Sequence, residues 1–168
     1  MIDCWRRTFA RGGGLRPGNA VVILSTSMGP PEVRAGILNC YEDTLPRVSR
    51  RVAAEGPNLL VNVTNDAWFG NSAEPELHLL AAIPRAIEAR RDMVRAVNTG
   101  VTAHIDAFGR VVARAEREVQ TVLVVHPALI EGGPTIYTRW GDAMWSVPLF
   151  AAAFASLGAR IGRKKEEA

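Results

Sequence analysis

Lysine and cysteine are both scarce in this chain of 168 residues, and each scarcity excludes a class of function. The only two lysines, Lys164 and Lys165, lie near the carboxyl terminus, so arginine carries almost all of the positive charge in a net charge of +3. The arginines are dispersed among apolar residues rather than gathered in one basic block, which argues against a dedicated nucleic-acid-binding surface. The two cysteines, Cys4 and Cys40, make no disulfide framework, and neither has metal-ligand spacing with a histidine. We therefore expect no metal and no cofactor.

A cleavable signal peptide is also missing from the start of the chain. Residues 1–19 are polar and rich in glycine and arginine, and we interpret them as an irregular segment. The abrupt start suggests a longer protein that has been entered partway. The length fits one domain with an appendage, and an apolar fraction of 48% is enough for a real core.

Apolar runs separated by turn residues predict an α/β layered domain over residues 20–137. The predicted strands are 20–25, 32–39, 58–63, 93–97 and 119–126, with a hairpin of 101–107 and 110–115 around Phe108 and Gly109. Apolar residues at helical spacing predict helices over 44–54 and 74–91. This alternation of buried strands and helices is typical of a sheet covered by helices.

Residues 138–168 differ in character from the rest of the chain. From Ala143 to Ala159, seventeen residues carry no charge, and as a helix they would span roughly 25 Å, the lower limit for crossing a bilayer core. Tryptophans at one end and a basic cluster at the other predict a transmembrane helix whose tail is cytoplasmic, with the α/β domain on the outer side. The alternative is a buried carboxyl-terminal helix of the domain.

Cys40 stands where the predicted strand 32–39 turns into the following helix. A thiol at this point is a plausible nucleophile, because the amides of the first helical turn can stabilise a thiolate and an oxyanion. The alternative is a small buried hydrophobic residue, since free cysteines are among the most buried residue types. Composition alone favours that alternative, so the neighbouring residues must decide.

Polar residues at two predicted strand ends are the other site candidates. Glu42 either orients a substrate amine or a cation, or is an ordinary acid of a first helical turn, and Tyr41 either lines a pocket or packs. The loop after strand 58–63 carries Asn65, Asp66 and Trp68, where open α/β sheets place their sites. An Asx-turn with an aromatic plug is the alternative for that loop.

The three histidines are weaker candidates. His78 lies on a predicted helix, His104 in a predicted strand and His126 at a strand end. The sequence offers none of them an obvious partner. We therefore interpret them as packed or surface residues rather than as catalytic bases.

Three segments resemble the nitrilase-like domain of the apolipoprotein N-acyltransferases, within the carbon–nitrogen hydrolase superfamily. They are Asn39–Glu42 (NCYE), Asn62–Ser72 (NVTNDAWFGNS) and Arg85–Val111. Order, spacing and composition match from about residue 15 to the carboxyl terminus. The combination of TNDAWFG with CYE is more specific than the cysteine, which would fit any carbon–nitrogen hydrolase. Residues 138–168 resemble the final membrane helix and basic tail of that family.

The resemblance implies a partial αββα sandwich on the periplasmic side of a bacterial inner membrane. Cys40 would take an acyl chain from a phospholipid as a thioester, and the amine of a diacylglyceryl-cysteine on an apolipoprotein would then attack it. Tyr41 and Glu42 match family positions beside the nucleophile, where Glu42 would help to activate the site. Trp68 matches a loop position near the substrate entrance, in the same loop as Asn65 and Asp66.

The chain departs from the family in its catalytic triad. That triad is Glu-Lys-Cys, with both partners well upstream of the cysteine, yet before Cys40 this chain has only Asp3 and Glu32 as acids and no lysine. Arginine is a poor substitute because it cannot give up its proton. The membrane helices that open the family's sequences are missing too. We expect the carboxyl portion of such an enzyme, inactive alone, from a misplaced start, a split gene or a remnant.

Two alternatives to the acyltransferase hypothesis remain open. The first is a soluble carbon–nitrogen hydrolase, an amidase that uses the same Cys40. The second is a membrane-tethered remnant that folds or binds but does not catalyse. The uncharged segment 143–159 and the TNDAWFG loop argue against the first, and the missing glutamate and lysine favour the second for this chain in isolation.

Overall fold

A single six-stranded sheet forms the framework of the computed structural model, which describes residues 20–26 and 29–154. The strands lie side by side in chain order: β1 (Ile23–Thr26), β2 (Val33–Asn39), β3 (Leu59–Asn65), β4 (Met93–Asn98), β5 (Ala103–Ile105) and β6 (Val111–Arg114). The central strands β2, β3 and β4 are parallel, and β1, β5 and β6 pair antiparallel at the two sides. Parallel neighbours need crossover connections, which helices supply here.

Helices connect the parallel strands and cover one face of the sheet. A 3-10 turn, Cys40–Thr44, and helix α1, Pro46–Ala54, follow β2; a second 3-10 turn, Ala67–Phe69, and helix α2, Glu74–Ala89, follow β3. Proline suits the first position of α1, because a helix leaves that N–H unpaired in any case. Thr135 is the N-cap of the short helix α3, Ile136–Trp140. Its hydroxyl donates to the carbonyl of Glu88 at 2.6 Å, which holds α3 against α2.

The hydrophobic core lies between this helical layer and the sheet. Leu60 and Met93 are fully buried neighbours in register, and each contributes roughly 1.5–3 kcal/mol by leaving water. On α2 the residues that face the core are mostly alanines, which let the helix approach the strands closely: Ala82, Ala86 and Ala89. The core therefore fixes the height of α2 above the sheet.

The helix-facing side of the sheet becomes polar toward the carboxyl ends of the parallel strands. The row that contains Leu60 and Met93 is apolar, whereas the next row joins Leu38, Asn62 and Arg95 in register. Asn62 and Arg95 are nonetheless fully buried. Buried polar groups at one edge of a sheet need local partners, and those partners define the site described below.

The opposite face of the sheet carries apolar side chains that no second layer covers within the described residues. Along β3 the side chain of Val61 is half-buried on this face and that of Val63 is 50% exposed, while Asn62 between them is buried under the helices. The α/β architecture with helices over a sheet is thus confirmed for one side of the sheet.

Most predicted elements are confirmed with shifted ends. The hairpin of β5 and β6 turns at the predicted Phe108 and Gly109, and α2 stops two residues early because Arg90 adopts a left-handed conformation with φ of 51°. The helix expected over 44–54 is α1, which begins two residues later than predicted, after the Cys40–Thr44 turn.

The strand predicted over residues 119–126 is wrong. This stretch runs without regular structure, and Val122 and Val124 are 86% and 77% exposed. A strand needs a hydrogen-bonded neighbour, and among the described residues β6 pairs only with β5. Valine favours strands, but no strand of the described residues pairs with this stretch.

The carboxyl-terminal helix is described only in part. The chain forms a 3-10 turn, Gly141–Trp145, and is helical over 146–154, while residues 155–159 of the predicted membrane segment lie outside the described residues. Within residues 20–26 and 29–154, no helix has the length and apolar character needed to cross a bilayer.

Candidate active site

Cys40 is the first residue after β2, and its backbone is strained. Its φ is 53°, a left-handed conformation that residues with a side chain seldom adopt, and such strain concentrates at functional sites. Because β2, β3 and β4 are parallel, Cys40 shares one edge of the sheet with Asn65 and Asn98, which end the next two strands. This edge is where open α/β sheets bind ligands. Cys40 is only partly buried, as a nucleophile must be.

Two side chains hold the Cys40 turn in place. The Asn62 amide nitrogen donates to the carbonyls of Leu38 at 3.2 Å and Cys40 at 2.9 Å. The carboxylate of Glu42 accepts from the backbone N–H of Asn39 at 2.8 Å, in the manner of a helix cap. The structure thus gives Glu42 a positioning contact two residues from the cysteine.

Three contacts orient the side chain of Tyr41. Its ring stacks on that of His78 with centroids 4.5 Å apart and meets the edge of Phe69 at 6.0 Å, and its hydroxyl donates to Glu74 at 3.0 Å. Partial burial, then the hydrogen bond and charge of Glu74, raise the pKa of Tyr41 to about 12. The phenol is therefore a neutral group at physiological pH, with its ring beside the nucleophile.

His78 lies at the centre of a buried ionic cluster behind the site. Its Nε2 is 2.9 Å from an Asp43 oxygen and its Nδ1 is 3.0 Å from an Asp66 oxygen. Arg95 donates to the second Asp43 oxygen at 2.6 Å, and the side chains of His78, Asp43, Asp66 and Arg95 are all inaccessible to solvent. His78 is therefore packed, as one of the two predicted alternatives, but it has two partners that the sequence did not reveal.

Sequence reasoning missed His78 because its partners are remote along the chain. Asp66 lies twelve residues before it and Asp43 thirty-five. The available signal was helical phase: His78 falls on the same face of α2 as the buried residues Ala82, Arg85 and Ala86. A histidine on a core-facing stripe needs buried partners, and the acids at two strand ends were candidates for them. His104 also has a partner, since its Nε2 is 2.8 Å from Asp92.

The loop after β3 exposes Asn65 and Trp68 and buries Asp66. The Asn65 side chain accepts from the N–H of Ala67 at 3.1 Å and from the Asn98 amide at 3.0 Å. The Trp68 indole donates to the carbonyl of Asn65 at 2.7 Å and is otherwise 77% exposed. Asp66 is buried against His78, so its carboxylate lies behind the surface rather than on it.

The turn after β4 belongs to the same edge of the sheet. Thr99 has a φ of 59°, so it is a second residue, in addition to Cys40, with a left-handed backbone conformation on this edge of the sheet. Gly100 has no room for a side chain, because a Cβ would clash with Asp66 and Val97. The signal in the sequence was a polar Asn-Thr-Gly that directly follows a buried strand.

A groove on the described surface lies away from Cys40. It has a volume of about 960 Å³ and is bounded by Ile87, Arg90, Phe108 and Ile136 at the carboxyl end of α2. Tyr41 and Cys40 instead lie beside the amino end of α2, where Glu74 begins that helix. Chemistry and geometry, rather than cavity size, therefore identify the site. No group of acids, histidines and cysteines within the described residues is arranged to hold a metal ion.

The fold and the cysteine edge together match a known family. The family model for carbon-nitrogen hydrolases matches residues 5–135, well over half of the chain. The chain belongs to the carbon-nitrogen hydrolase family. Its fold is similar to that of Saccharomyces cerevisiae Nit3, a nitrilase-superfamily member, with a TM-score of 0.50 and 21% identity over 61% of this chain and 39% of Nit3. A carbon-nitrogen hydrolase from Helicobacter pylori G27 gives a TM-score of 0.51 at 15% identity, over 61% of this chain and 42% of that one.

Within the carbon-nitrogen hydrolases, the chain is similar to apolipoprotein N-acyltransferases. It is 40% identical to that of Geobacter metallireducens over 88% of this chain and 28% of the relative, and 44% identical to that of Methylococcus capsulatus over 77% and 24%. The enzyme of Gloeobacter violaceus is 42% identical over 78% and 24%. The resemblance inferred from the NCYE and TNDAWFG motifs is confirmed. The chain spans about a quarter of the length of these curated relatives.

Proposed function

We propose that this chain carries the nucleophile of an apolipoprotein N-acyltransferase. The observation that carries the proposal is Cys40, held with positive φ at the carboxyl edge of the sheet in a chain similar to enzymes of that name. The acyl donor would be a phospholipid and the acceptor the amine of diacylglyceryl-cysteine on an apolipoprotein. Tyr41 and the exposed Trp68 flank the cysteine as substrate-contacting residues, and Asn65 fixes the loop that carries Trp68.

The reaction divides into two acyl transfers. In the first, the Cys40 thiolate attacks the ester carbonyl of the phospholipid, a thioester forms, and the lysophospholipid alkoxide leaves and takes up a proton. In the second, the acceptor amine attacks the thioester carbonyl, loses a proton and forms the amide, which releases the Cys40 thiol. N–H groups of the turn after Cys40 would stabilise the developing oxyanion.

The proton transfers need groups that this chain does not place before Cys40. The lysine that the family resemblance implies has no counterpart there, since the lysines are Lys164 and Lys165 alone, and the only acids before Cys40 are Asp3 and Glu32. We propose that polypeptide other than these 168 residues supplies the glutamate base and the lysine, and that the chain by itself does not turn over. Glu42 already caps the Cys40 turn, and in the complete site it would hold that turn rather than act as the base.

We also propose a membrane arrangement, which the uncharged segment 143–159 and its flanking residues support. Segment 143–159 would cross the inner membrane with its basic tail in the cytoplasm, residues 138–168 forming this unit and 20–137 the periplasmic part of the nitrilase-like domain. In the described part of the segment, apolar side chains at 147, 149, 150 and 154 are each more than 60% exposed, as lipid-facing residues would be. Cysteine-accessibility labelling near Arg163 from the outside of intact cells would contradict this topology.

An acyl-labelling experiment tests the nucleophile. Residues 20–154 replace the matched segment of the Geobacter metallireducens enzyme, which supplies the rest of the protein, and the chimera receives phospholipid labelled in its acyl chain. We expect label on the Cys40 peptide that hydroxylamine removes, and none in the matched Cys40→Ser chimera. Hydroxylamine-labile label that persists in the serine variant would refute Cys40 as the nucleophile.

Amide hydrolysis is the second candidate function, favoured by the family match itself. The same Cys40 thioester would form from an amide and be attacked by water rather than by an amine. The chimera distinguishes the two functions, because an amidase would release free acid from a short-chain amide and would not transfer the label to a synthetic diacylglyceryl-cysteine peptide.

A further inference from the structure

The buried cluster around His78 has no assigned part in the acyl transfer, yet it contacts two residues of the turn that begins at Cys40. We infer that His78 is a positioning residue, a buried imidazolium that holds Asp43 and Tyr41 and through them fixes the turn that carries Cys40. The inference rests on the proposed function, since it concerns the same cysteine. Its test does not require acyl transfer.

Hydrogen-bond chemistry determines the charge of His78. Each ring nitrogen lies within 3.0 Å of a carboxylate oxygen, and an ionised carboxylate can only accept. Both nitrogens must therefore carry hydrogen. Arg95 donates to the second oxygen of Asp43 at 2.6 Å, so two cations, His78 and Arg95, face the two acids Asp43 and Asp66. A neutral His78 would turn a lone pair toward a carboxylate and leave a buried net negative charge.

The charged and titratable groups around His78 agree with this assignment. Burial lowers the pKa of His78, and so does the charge of Arg95, but the hydrogen bond and charge of Asp43 and the hydrogen bond of Asp66 outweigh them, and the pKa is raised. Tyr41 covers the ring face and stays neutral because its own pKa is raised to about 12. We conclude that the imidazolium persists above the usual range for histidine.

Two contacts connect the imidazolium to the nucleophile. Asp43 lies three residues after Cys40 in the same 3-10 turn, so the bond from Nε2 anchors the far end of that turn. Tyr41 directly follows Cys40, and its ring stacks on the His78 ring at an interplanar angle of 15°. Arg95 joins the turn to β4 through the other oxygen of Asp43. The turn is thus tied to α2 and to the sheet by one cluster.

A purely structural role predicts something different from a positioning role. Buried ionic clusters often contribute little net stability, because desolvation offsets their mutual attraction. A positioning cluster should instead affect the reactivity of Cys40 while the fold remains. The loss of a positive charge behind the turn disfavours the thiolate, which is the reactive form of the cysteine.

Nuclear magnetic resonance on the wild-type chain tests the protonation state. The full chain, with its histidines labelled with nitrogen-15 and kept in detergent micelles, is followed by imidazole proton–nitrogen correlation from pH 6 to 9. His78→Gln identifies the signal by its disappearance. We expect His78 to show two protonated nitrogens at pH 8. A single-proton tautomer of His78 at pH 8 would overturn the inference.

Thiol alkylation tests the positioning role. All variants carry Cys4→Ser, so that Cys40 is the only thiol, and iodoacetamide modification is timed by mass spectrometry. We expect His78→Gln to react roughly tenfold more slowly than the parent, the scale of a misplaced reacting group. The matched control, His104→Gln, removes another buried histidine bonded to an aspartate, away from Cys40, and should react like the parent. Equal rates in both variants would overturn the inference.

Asp66→Asn keeps the experiment decisive if His78→Gln does not fold. The asparagine oxygen still accepts from Nδ1, but a negative charge is lost, so His78 should release its proton at lower pH. The alkylation rate of Cys40 should then show a second inflection at the His78 titration seen by resonance. A profile without that inflection would contradict positioning by the imidazolium. Failure of the acyl-labelling experiment with these results intact would refute only the proposed reaction.

Discussion

The side-chain amide of Asn62 donates to the carbonyl of Cys40 at 2.9 Å from the middle of the neighbouring strand. It also donates to Leu38, at 3.2 Å, so one buried amide serves the last part of β2 and the turn that follows. The left-handed residue Cys40 is thereby held from the sheet side, while His78 holds the same turn from the helix side. The first prediction concerns this amide.

Asn62→Leu should destabilise the chain by about 1–3 kcal/mol, because two carbonyls lose their donor at a buried position while the volume of the side chain is kept. Urea unfolding followed by circular dichroism measures the change. Asn71→Leu is the matched control, since residue 71 is exposed, and it should unfold within about 0.5 kcal/mol of the parent. Equal midpoints for the two variants would contradict the role given to Asn62.

Gly100→Ala should destabilise the chain by about 1–3 kcal/mol, because a Cβ there would clash with Asp66 and Val97 in a packed region. Gly133→Ala is the control, since a Cβ at that position meets no atom within 4 Å. Thermal unfolding of the two variants should differ in midpoint by several degrees. If Gly133→Ala lowers the unfolding midpoint more than Gly100→Ala does, the close packing around Gly100 is contradicted.

Alkaline titration should find Tyr41 protonated well above the ordinary range of tyrosine. The pKa of its phenol is raised to about 12 by burial and by Glu74, so the neutral form is favoured in the folded chain. The contribution to stability is complete below the unfolded pKa near 10 and is lost as the pH rises through about 12. Ultraviolet titration of Tyr137→Phe, which leaves Tyr41 as the only tyrosine, measures this.

Glu74→Gln in the same Tyr137→Phe background should lower the pKa of Tyr41, since it removes the carboxylate that disfavours the phenolate. Glu76→Gln is the control, because the Glu76 carboxylate pairs with Arg114 instead. A phenol that titrates identically in the two glutamine variants would show that Glu74 does not set its pKa.

Trp68→Ala should weaken donor binding and leave stability nearly unchanged. The indole is 77% exposed, so its removal costs little packing, yet it stands on the loop beside the nucleophile. In the acyltransferase chimera we expect a higher KM for phospholipid with a similar kcat. Phe108→Ala removes an equally exposed ring, 70% accessible, at the other end of α2, and should leave KM unchanged.

Local sequence patterns predicted the parallel strands and the place of Cys40. The apolar run before Cys40 became β2, and the run predicted over 58–63 became most of β3, because short apolar runs bounded by turn residues identify such strands. The position of Asn65, Asp66 and Trp68 just after β3 follows from the same patterns. What the sequence did not predict is long-range partnership.

His78 and the segment 119–126 show the two kinds of failure. The role of His78 depends on acids twelve and thirty-five residues away in the sequence. No local pattern predicts that the residues after β2 and β3 will contact this histidine of α2. The valines of 119–126 have a strong local pattern, but a strand also needs an adjacent edge. The partners of His78 were missed because they are distant in the sequence. The strand over 119–126 was wrongly predicted because local propensity does not ensure a neighbouring strand.

The alanines that α2 turns toward the sheet have a consequence for how this protein can vary. Since Ala82 and Ala86 are fully buried, a larger side chain at either position would lift the helix from the strands. His78 lies one turn before Ala82, so the lifted helix would withdraw the imidazolium from Asp43 without any change to a polar residue. Residues that never contact a substrate therefore limit how large a side chain α2 can carry before the turn with Cys40 is displaced.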